Sequence, residues 1–289
     1  MIILLPNLLN YNTLLFVISK CLGVPVRLLS LFTSSVLSLL SVTAIAAPTS
    51  NTSTALQKES HTTYSFPNQF HQCKKTLNYN IFFKGQKIGH YQRHIVWKGD
   101  SADIYTNSEV DVLITKSKMD SHTQLHWSDA AQRFVTDKFQ RTISGLMAGN
   151  VSVTFSDDGH NSTVTEDGKT QKYTNALAPI LDGDTIGSQM RLDLIEGKKN
   201  FDFIMQNSDE TSHYYFAVVG NETINTNFGT LNTIRVNQTR KSDRQLSLWF
   251  APSLDYQLVK ATYHRKIVDL EAVLMSKKMD CPPKQLFKK

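Results

Sequence analysis

The chain from Thr76 to Trp97 reads TLNYNIFFKGQKIGHYQRHIVW, and this stretch decides the fold. Its first half carries apolar side chains at every second position, which is the period of a β-strand with one buried face. These positions are Leu77, Tyr79, Ile81 and Phe83. A short polar turn, GQK, then leads into a second run of strand-forming residues. The pattern predicts an antiparallel hairpin.

The same pattern continues almost to the end of the chain. Alternating segments are separated by links of hairpin length, and the pairs Asp158-Gly159 and Asp167-Gly168 provide the glycine that tight turns need. We count roughly a dozen short strands. The expected fold is therefore mainly β, a single antiparallel β-barrel or strongly curved sheet with one short helix.

The helix is predicted in DGDTIGSQMRLDLIEGKK, residues 182–199. Apolar residues recur there at every fourth position, at Ile186, Met190 and Leu194. Asp184 or Thr185 is the expected N-cap, Asp182 a loop acid, and Gly197 the residue that ends the helix. The alternative for Asp182 and Asp184 is a functional carboxylate pair.

The N-terminal region has the composition of an export signal. Residues 28–43 are apolar or hydroxyl-bearing, and Ala44-Ile45-Ala46 has the small-x-small pattern that signal peptidase reads. We expect residues 1–46 to target the chain to the periplasm, with cleavage after Ala46. The alternative is an uncleaved anchor, because residues 28–46 are nearly long enough to cross a bilayer.

The remaining boundaries follow from composition. Residues 47–72 are rich in Ser, Thr and Asn and are expected to form a flexible leader. Residues 73–281 are expected to form the β-barrel-like domain, and residues 282–289 a basic tail.

The charge of the chain excludes some classes of partner. Removing Lys20 and Arg27 with the targeting segment leaves 29 basic and 25 acidic residues, a net charge of +4 without a basic stripe. Nucleic acid binding is therefore not expected. Charges such as Arg133, Asp137 and Lys260 interrupt too many strands for a membrane-spanning barrel. After cleavage we expect peripheral membrane contact at most.

Two cysteines follow the cleavage site, one before the first strand and one after the last. An even number in an exported chain favours a Cys73–Cys281 disulfide. Such a bond would close a loop of roughly 200 residues and constrain the unfolded state by about 3–5 kcal/mol in the loop-entropy model. Two unpaired buried thiols are the alternative.

Motifs of common enzymes are missing from the sequence. It has no Gly-x-Ser-x-Gly elbow, phosphate-binding glycine loop or zinc-binding His-Glu-x-x-His. His122 and His126 lie on one face of a strand, as do His90 and His94, but a metal site needs further ligands. We therefore predict no metal, no cofactor and no catalytic residue.

Alternating aromatic residues are candidates for the lining of a ligand cavity. A barrel of this size need not be filled by side chains, although simple core packing is the alternative. Four C-terminal arginines can bind an acidic head group if they face inward: Arg235, Arg240, Arg244 and Arg265. The predicted ligand-binding residues are Tyr79, Phe83, Phe203, Tyr214, Phe216, Trp249 and Arg235.

Two segments carry a family resemblance. Gly229-Thr230-Leu231-Asn232-Thr233, and then Leu248-Trp249-Phe250-Ala251-Pro252-Ser253-Leu254-Asp255-Tyr256, resemble family 3108 of the domains of unknown function. The Tyr79 strand followed by Ile88-Gly89 is similar to the opening hairpin of that family. Here Gln257-Leu258-Val259 replaces the Leu-Pro-Val usual after the tyrosine. The resemblance covers about Leu77 to Leu274 and implies an exported β-rich protein without an established activity.

These observations predict a periplasmic binding or assembly factor of the cell envelope, more consistent with a non-enzyme than with an enzyme. Its partner would be an apolar or lipid-like ligand or another envelope protein. One alternative is an envelope hydrolase with a His/carboxylate site. A second is a structural protein-interaction module, which an exposed apolar patch or sheet edge would indicate.

Overall fold

The computed structural model describes residues 73–112, 115–145 and 148–281. The predicted targeting segment 1–46, leader 47–72 and tail 282–289 lie outside these residues. The described part of the chain forms one sheet of 15 strands and one α-helix, α1 (Gly183–Ile195). The strands are β1 (Lys74–Phe83), β2 (Gln86–Lys98), β3 (Ser101–Val112), β4 (Thr115–Ser128), β5 (Arg133–Gly145), β6 (Gly149–Phe155), β7 (Asn161–Glu166), β8 (Lys169–Thr174), β9 (Ile180–Leu181), β10 (Asn200–Gln206), β11 (Thr211–Thr226), β12 (Gly229–Thr239), β13 (Gln245–Ala251), β14 (Gln257–Arg265) and β15 (Val268–Asp280).

The sheet consists of two antiparallel meanders joined at its centre. Strands β1 to β8 follow one another in space, β10 to β15 do the same, and β1 pairs with β15 between them. The mainly β, antiparallel, barrel-like fold is thus confirmed, with 15 strands instead of roughly a dozen. Short strands such as β8, KTQKYT, lack alternating apolar residues and give no periodic signal.

The predicted hairpin at the start of the domain is strands β1 and β2. Tyr79 lies opposite Tyr91, and the buried positions of β1 alternate as expected. The register shifts between Ile81 and Phe82. Because of this irregularity the period-two pattern ends there, and Phe83 is half-buried instead of fully buried.

The two arms of the sheet approach each other where β9 begins. The backbone N–H of Ile180 donates to the carbonyl of Gly159 over 2.8 Å, and the Ser162 hydroxyl donates to Oε1 of Gln206 over 2.6 Å. Gly159 has a φ of +73°, and a Cβ there would lie 2.8 Å from the Cβ of Pro179. These contacts nearly close the sheet into a barrel.

Helix α1 lies against the inner face of this curved sheet and is buried nearly all round. Its buried residues include Ile186, Met190 and Leu194, as the periodicity predicts. Burying each such side chain stabilises the fold by about 2 kcal/mol. Polar residues of the helix, among them Gln189 and Arg191, are buried as well and need partners inside the barrel.

The N-cap of α1 is Asp182, which corrects the prediction of Asp184 or Thr185. Its carboxylate accepts hydrogen bonds from the backbone N–H of Asp184 (3.0 Å) and of Thr185 (2.9 Å). These are the second and third residues after the cap, the donors that a capping side chain reaches. At the other end Gly197 adopts a φ of +79° and ends the helix as predicted.

The predicted disulfide joins Cys73 to Cys281. Lys74 and Asp280, the neighbours of these cysteines, are paired across β1 and β15. The bond therefore ties the ends of the two central strands. Within the described residues, α1 falls short of the length and apolar character that a membrane-spanning helix needs.

Candidate functional site

Five ionisable side chains meet beside the helix, and we call them the interior ion cluster. They are Lys75, Arg93, Asp184, Arg191 and Asp255. Lys75 comes from β1, Arg93 from β2, Asp184 and Arg191 from α1, and Asp255 from the connection between β13 and β14. Three cations thus face two carboxylates.

Strand and helix periodicity place these charges inside. Lys75 shares the inward face of β1 with Leu77 and Tyr79, because side chains two apart on a strand point the same way. Arg93 takes an inward position of β2 for the same reason. On the helix, Asp184 and Arg191 are seven residues apart, about two turns, and therefore lie on one face.

Arg93 holds the first turn of the helix. Its Nε lies 2.9 Å from Oδ1 of Asp184, and its Nη2 donates to the Asp184 carbonyl over 3.0 Å. The two side chains are 11% and 4% exposed. Burial alone would lower the pKa of Arg93, but the facing Asp184 carboxylate raises it. The guanidinium remains charged.

Asp255 is the centre of the other half of the cluster. Its Oδ2 lies 2.8 Å from Nζ of Lys75 and 2.6 Å from Nη2 of Arg191, and its carbonyl accepts from Nε of Arg191 over 2.7 Å. Lys75 is 1% exposed and Asp255 27%. The cluster therefore meets solvent at Asp255.

The backbone around Asp255 is unusual. Asp255 and Tyr256 have φ values of 66° and 51°, in the left-handed region that non-glycine residues rarely adopt. Such residues cost about 1 kcal/mol or more each and occur where the surrounding structure holds them. Here the turn points the carboxylate at two buried cations.

Burial lowers the pKa values of several cations in and beside the cluster. Desolvation, with repulsion from Arg191, lowers the pKa of Lys75 to about 7 even though Asp255 opposes the shift. Desolvation also lowers the pKa of Arg191 to about 9. Lys277 lies at the edge, where its ammonium donates to the Leu254 carbonyl over 2.8 Å, and burial lowers its pKa as well.

A cavity of about 30 Å³ lies beside the cluster. That is the space of about two water molecules. Its lining combines the three cations with apolar side chains, namely Ile95, Trp97, Phe250 and Leu258. A lipid tail does not fit into this volume, whereas a small polar group fits at its mouth.

A second polar network, without cations, anchors the start of the helix. Thr123 donates to Oδ2 of Asp182 over 2.7 Å, and Thr136 accepts from the backbone N–H of Asp182 over 3.0 Å. Burial, helped by repulsion from Asp184, raises the pKa of Asp182. Asp182 and Asp184 are thus not a free carboxylate pair, because each is bound to a separate set of partners.

The predicted ligand-binding residues do not share one cavity. Tyr79 lines the cavity beside the cluster, and its hydroxyl donates to the Leu258 carbonyl over 2.9 Å. Phe203 and Tyr214 each pack near Phe216 in the buried core, with ring centroids 6.3 and 6.5 Å away. Phe83 lies at the end of β1, where the Lys84 ammonium approaches its ring.

Trp249 and Arg235 lie together, but on the outer face of the sheet. The Trp249 ring is 6% exposed, but the side chains that cover it, Glu222, Arg235 and Lys260, are themselves partly exposed. The Arg235 guanidinium lies 5.2 Å from the centre of the Trp249 ring, and the indole N–H donates to Glu222 over 3.0 Å. This pair is therefore a surface contact, not part of the barrel interior.

The histidines predicted for a hydrolase bind different carboxylates. His122 lies 2.7 Å from Asp103, and His126 lies 2.7 Å from Asp137. Both point to the outer face of β4. Among the described residues, no group of three or more His, Cys, Asp or Glu side chains is placed to hold a metal ion.

The other arginines considered for an acidic head group also have local partners. Arg240 lies 3.9 Å above the Tyr215 ring, whereas Arg244 and Arg265 both pair with Asp243. The cationic cluster that the structure does contain was not identified from the sequence. Its available signal was a charged residue, Lys75 or Arg93, at a buried position of an alternating strand.

The family model described as "Protein of unknown function (DUF3108)" matches residues 78–272. The chain belongs to this family. No curated protein matches the chain significantly.

Two solved structures are similar to this chain. A β-barrel-like protein of domain of unknown function DUF1849 from Brucella abortus matches 73% of this chain and 99% of its own, with 8% identity and a TM-score of 0.50. A putative exported protein with a YmcC-like fold from Bacteroides fragilis matches 74% and 98%, with 13% identity and a TM-score of 0.28. The first likeness shows a shared barrel-like fold.

The segment that carries the family resemblance also contributes a residue to the ion cluster. Leu248–Tyr256, which carries the resemblance, forms β13, the 3-10 turn Pro252–Leu254 and the strained residue Asp255. In this member of the DUF3108 family, the segment positions the carboxylate that pairs with Lys75 and Arg191.

Proposed function

We propose that this protein is an exported, non-enzymatic binding or assembly factor of the cell envelope, and that the interior ion cluster binds the acidic head group of a lipid-like ligand. One observation carries the proposal: Lys75, Arg93 and Arg191, all nearly buried, line the same small cavity. The export itself rests on the sequence of residues 1–46.

Burying three cations costs desolvation free energy, so their presence calls for an explanation. Replacing a buried ion pair by apolar residues of similar volume is often neutral or stabilising. Ionisable groups with strongly shifted pKa values in a cleft are therefore candidates for a functional site. Burial lowers the pKa of Lys75 and Arg191, so a further negative charge beside them would stabilise their charged forms.

The lining supports an amphiphilic ligand. Ile95, Trp97, Phe250 and Leu258 contribute apolar surface next to the cations. The volume of about 30 Å³ accommodates little more than a small polar group, so an acyl chain would lie outside the cavity. This differs from the expected ligand cavity lined by aromatic residues, because the lining of this cavity includes three cations.

The experiment is a calorimetric titration with dodecyl phosphate, lauric acid and dodecyltrimethylammonium below their micelle concentrations. We expect the two acids to bind and the cation not to bind. Lys75→Met removes one charged donor but leaves the Asp255–Arg191 pair, and should weaken acid binding about tenfold, since a hydrogen bond to a charged group contributes about 1.5 kcal/mol.

Lys74→Met is the matched control, because Lys74 is the exposed neighbour of Lys75 on β1. Its affinity for the acids should equal that of the wild type. Equal affinity for all three head groups, or equal affinity in Lys75→Met and the wild type, would refute the proposal.

The interaction-module alternative has a specific feature in its favour. Strand β8 is a sheet edge with exposed residues, and Leu177 just beyond it is 92% exposed. However, β8 carries Lys169 and Lys172, and lysines on an edge strand discourage pairing with another chain. We therefore favour the ligand-binding proposal.

A further inference from the structure

A groove crosses the outer face of strands β2 to β5, on the opposite side of the sheet from the ion cluster. Two rows of side chains in cross-strand register form its walls. The first, the ring row, consists of His94, Tyr105, His122 and Gln140; the second, the polar row, consists of Gln92, Asn107, Asp120 and Thr142. The volume between them is about 340 Å³.

The size of the groove suits a small chain-like ligand. Pockets for small molecules start at about 300 Å³. The rows cross four strands, which are three interstrand spacings or about 14 Å. The floor is sheet backbone at Thr106, Ser121 and Arg141. Because that backbone is already paired in the sheet, an added peptide strand has no hydrogen bonds to gain there.

The ring row is a stiff wall whose exposed aromatic surface comes from Tyr105. Tyr105 stacks on His122 with centroids 4.4 Å apart and planes 7° apart, and the His94 ring lies 6.5 Å away on the other side. His122 is fixed by Asp103 at 2.7 Å, and His94 by the Thr76 hydroxyl at 2.9 Å. Tyr105 is nevertheless 46% exposed, which is much for an aromatic side chain.

The polar row is a wall of hydrogen-bonding groups whose one charged member is Asp120. The Asn107 amide donates to Asp120 over 2.6 Å, and the Gln92 amide donates to Asn78 over 2.8 Å. Amide side chains both donate and accept, as hydroxyl groups of a ligand do. Neither row contains Lys or Arg, so the groove does not favour a polyanion.

We propose that the groove between the ring row and the polar row binds a neutral saccharide chain. A pyranose presents C–H groups to an apolar wall and hydroxyl groups to a wall of amides, and it needs no counter-charge. The site is independent of the interior ion cluster, since it lies on the other face of the sheet and shares no residue with it.

The test is calorimetric titration of the wild-type protein with cellohexaose, chitohexaose and maltohexaose, and with polygalacturonate as an anionic polymer. We expect at least one neutral hexasaccharide to bind. Tyr105→Ala should lose at least tenfold in affinity, and Asn107→Ala, on the opposite wall, should lose a similar factor. Both residues are exposed at the surface, so the melting temperature of each variant should equal that of the wild type.

Tyr215→Ala is the matched control. Tyr215 stacks on His213 with centroids 4.0 Å apart, in the same kind of Tyr–His pair but on β11. Unchanged affinity in this variant, with loss in the other two, supports the proposal. Binding of polygalacturonate alone, binding of none of the four polymers, or an equal loss in Tyr215→Ala overturns it.

Discussion

Two carboxylates in this molecule each hold two cations, one inside the barrel and one at its surface. Asp255 pairs with Lys75 and Arg191, and Asp243 pairs with Arg244 and Arg265. Lys75 and Arg191 are 1% and 9% exposed, whereas Arg244 and Arg265 are 19% and 32% exposed.

The difference in burial changes the pKa values of the cations. Inside, desolvation outweighs the attraction of Asp255 and lowers the pKa of Lys75 to about 7. At the surface, desolvation is the largest single effect on Arg244, but the hydrogen bond to Asp243 and the nearby Asp243 and Tyr263 charges together outweigh it, and the pKa of Arg244 is raised. A further negative charge would therefore raise the lowered pKa of Lys75, whereas the pKa of Arg244 is already raised by its present partners.

The largest effect is expected for Asp255→Asn. Asparagine tolerates the left-handed backbone at this position, so the change mainly removes the charge. Lys75 and Arg191 then lose the Asp255 carboxylate, and breaking a buried pair in this way costs about 3 kcal/mol. Urea unfolding at pH 6, where Lys75 is mostly protonated, measures the loss. An unfolding free energy equal to that of the wild type would show that the cluster is not electrostatically strained.

A somewhat smaller loss is expected for Asp182→Ala, which tests an interior carboxylate without a cation. The variant removes the N-cap of α1, at about 1 kcal/mol, and leaves buried hydroxyl and N–H groups of Thr123 and the first helical turn without their acceptor, at about 1–2 kcal/mol. Asp182→Asn, which retains a capping oxygen, is the control and should lose less. Equal losses in both variants would assign the effect to charge instead of hydrogen bonding.

The next largest effect is the pH dependence of the unfolding free energy, which we expect from the interior ion cluster and not from the surface pair at Asp243. Because the pKa of Lys75 is lowered to about 7, the folded protein releases a proton that the unfolded chain keeps until about pH 10.4. The penalty of the buried charge is full below pH 7 and is relieved as the pH rises. The unfolding free energy should therefore increase from pH 7 to 9, by at most about 1.4 kcal/mol per pH unit for this group.

Lys75→Met should flatten this slope, since no proton is then released at that position. Urea unfolding of both proteins at three pH values between 7 and 9 is sufficient. Lys277 and Arg191, whose pKa values are also lowered, account for any smaller slope that remains in Lys75→Met. An undiminished slope in this variant would disprove the low pKa of Lys75.

The smallest effect is expected for Asp243→Asn, the surface counterpart of Asp255→Asn. Exposed ion pairs contribute about 0.5 kcal/mol or less, because water and salt screen them. Thermal melting in low and high salt measures the change, which should be small and should vanish in high salt. A loss as large as that of Asp255→Asn would remove the distinction between the two regions.

The strands were predictable from the sequence because their signal is local. Alternation in TLNYNIFFK and the turn GQK define β1 and β2, and the structure confirms the hairpin. Phe83 left the pattern because a register shift between Ile81 and Phe82 is set by the neighbouring strand. The helix was predicted from apolar residues at every fourth position. Its N-cap was predicted wrongly, because Asp182 and Asp184 lie two residues apart and either carboxylate can cap a helix.

The candidate site was not predictable in the same way. Lys75 and Asp255 are 180 residues apart and meet only because β1, β15 and β14 are neighbours in the sheet. A charged residue at an inward position of a strand interrupts the alternation of apolar residues. The pattern does not show which residue is its ion-pair partner. The family resemblance did mark Leu248–Tyr256, but without the fold nothing showed that Asp255 faces buried cations.

The central claim is that the interior ion cluster receives an acidic group, and the titration of Lys75 itself tests it most directly. The Cε resonance of Lys75, in protein labelled with 13C at lysine and assigned with Lys75→Met, is followed against pH with and without saturating dodecyl phosphate. We predict a midpoint near 7 in the free protein and a midpoint at least one pH unit higher with the ligand, because the added negative charge stabilises the ammonium. A midpoint near the ordinary value of about 10.4 in the free protein, or one that does not move with the ligand, would contradict the account.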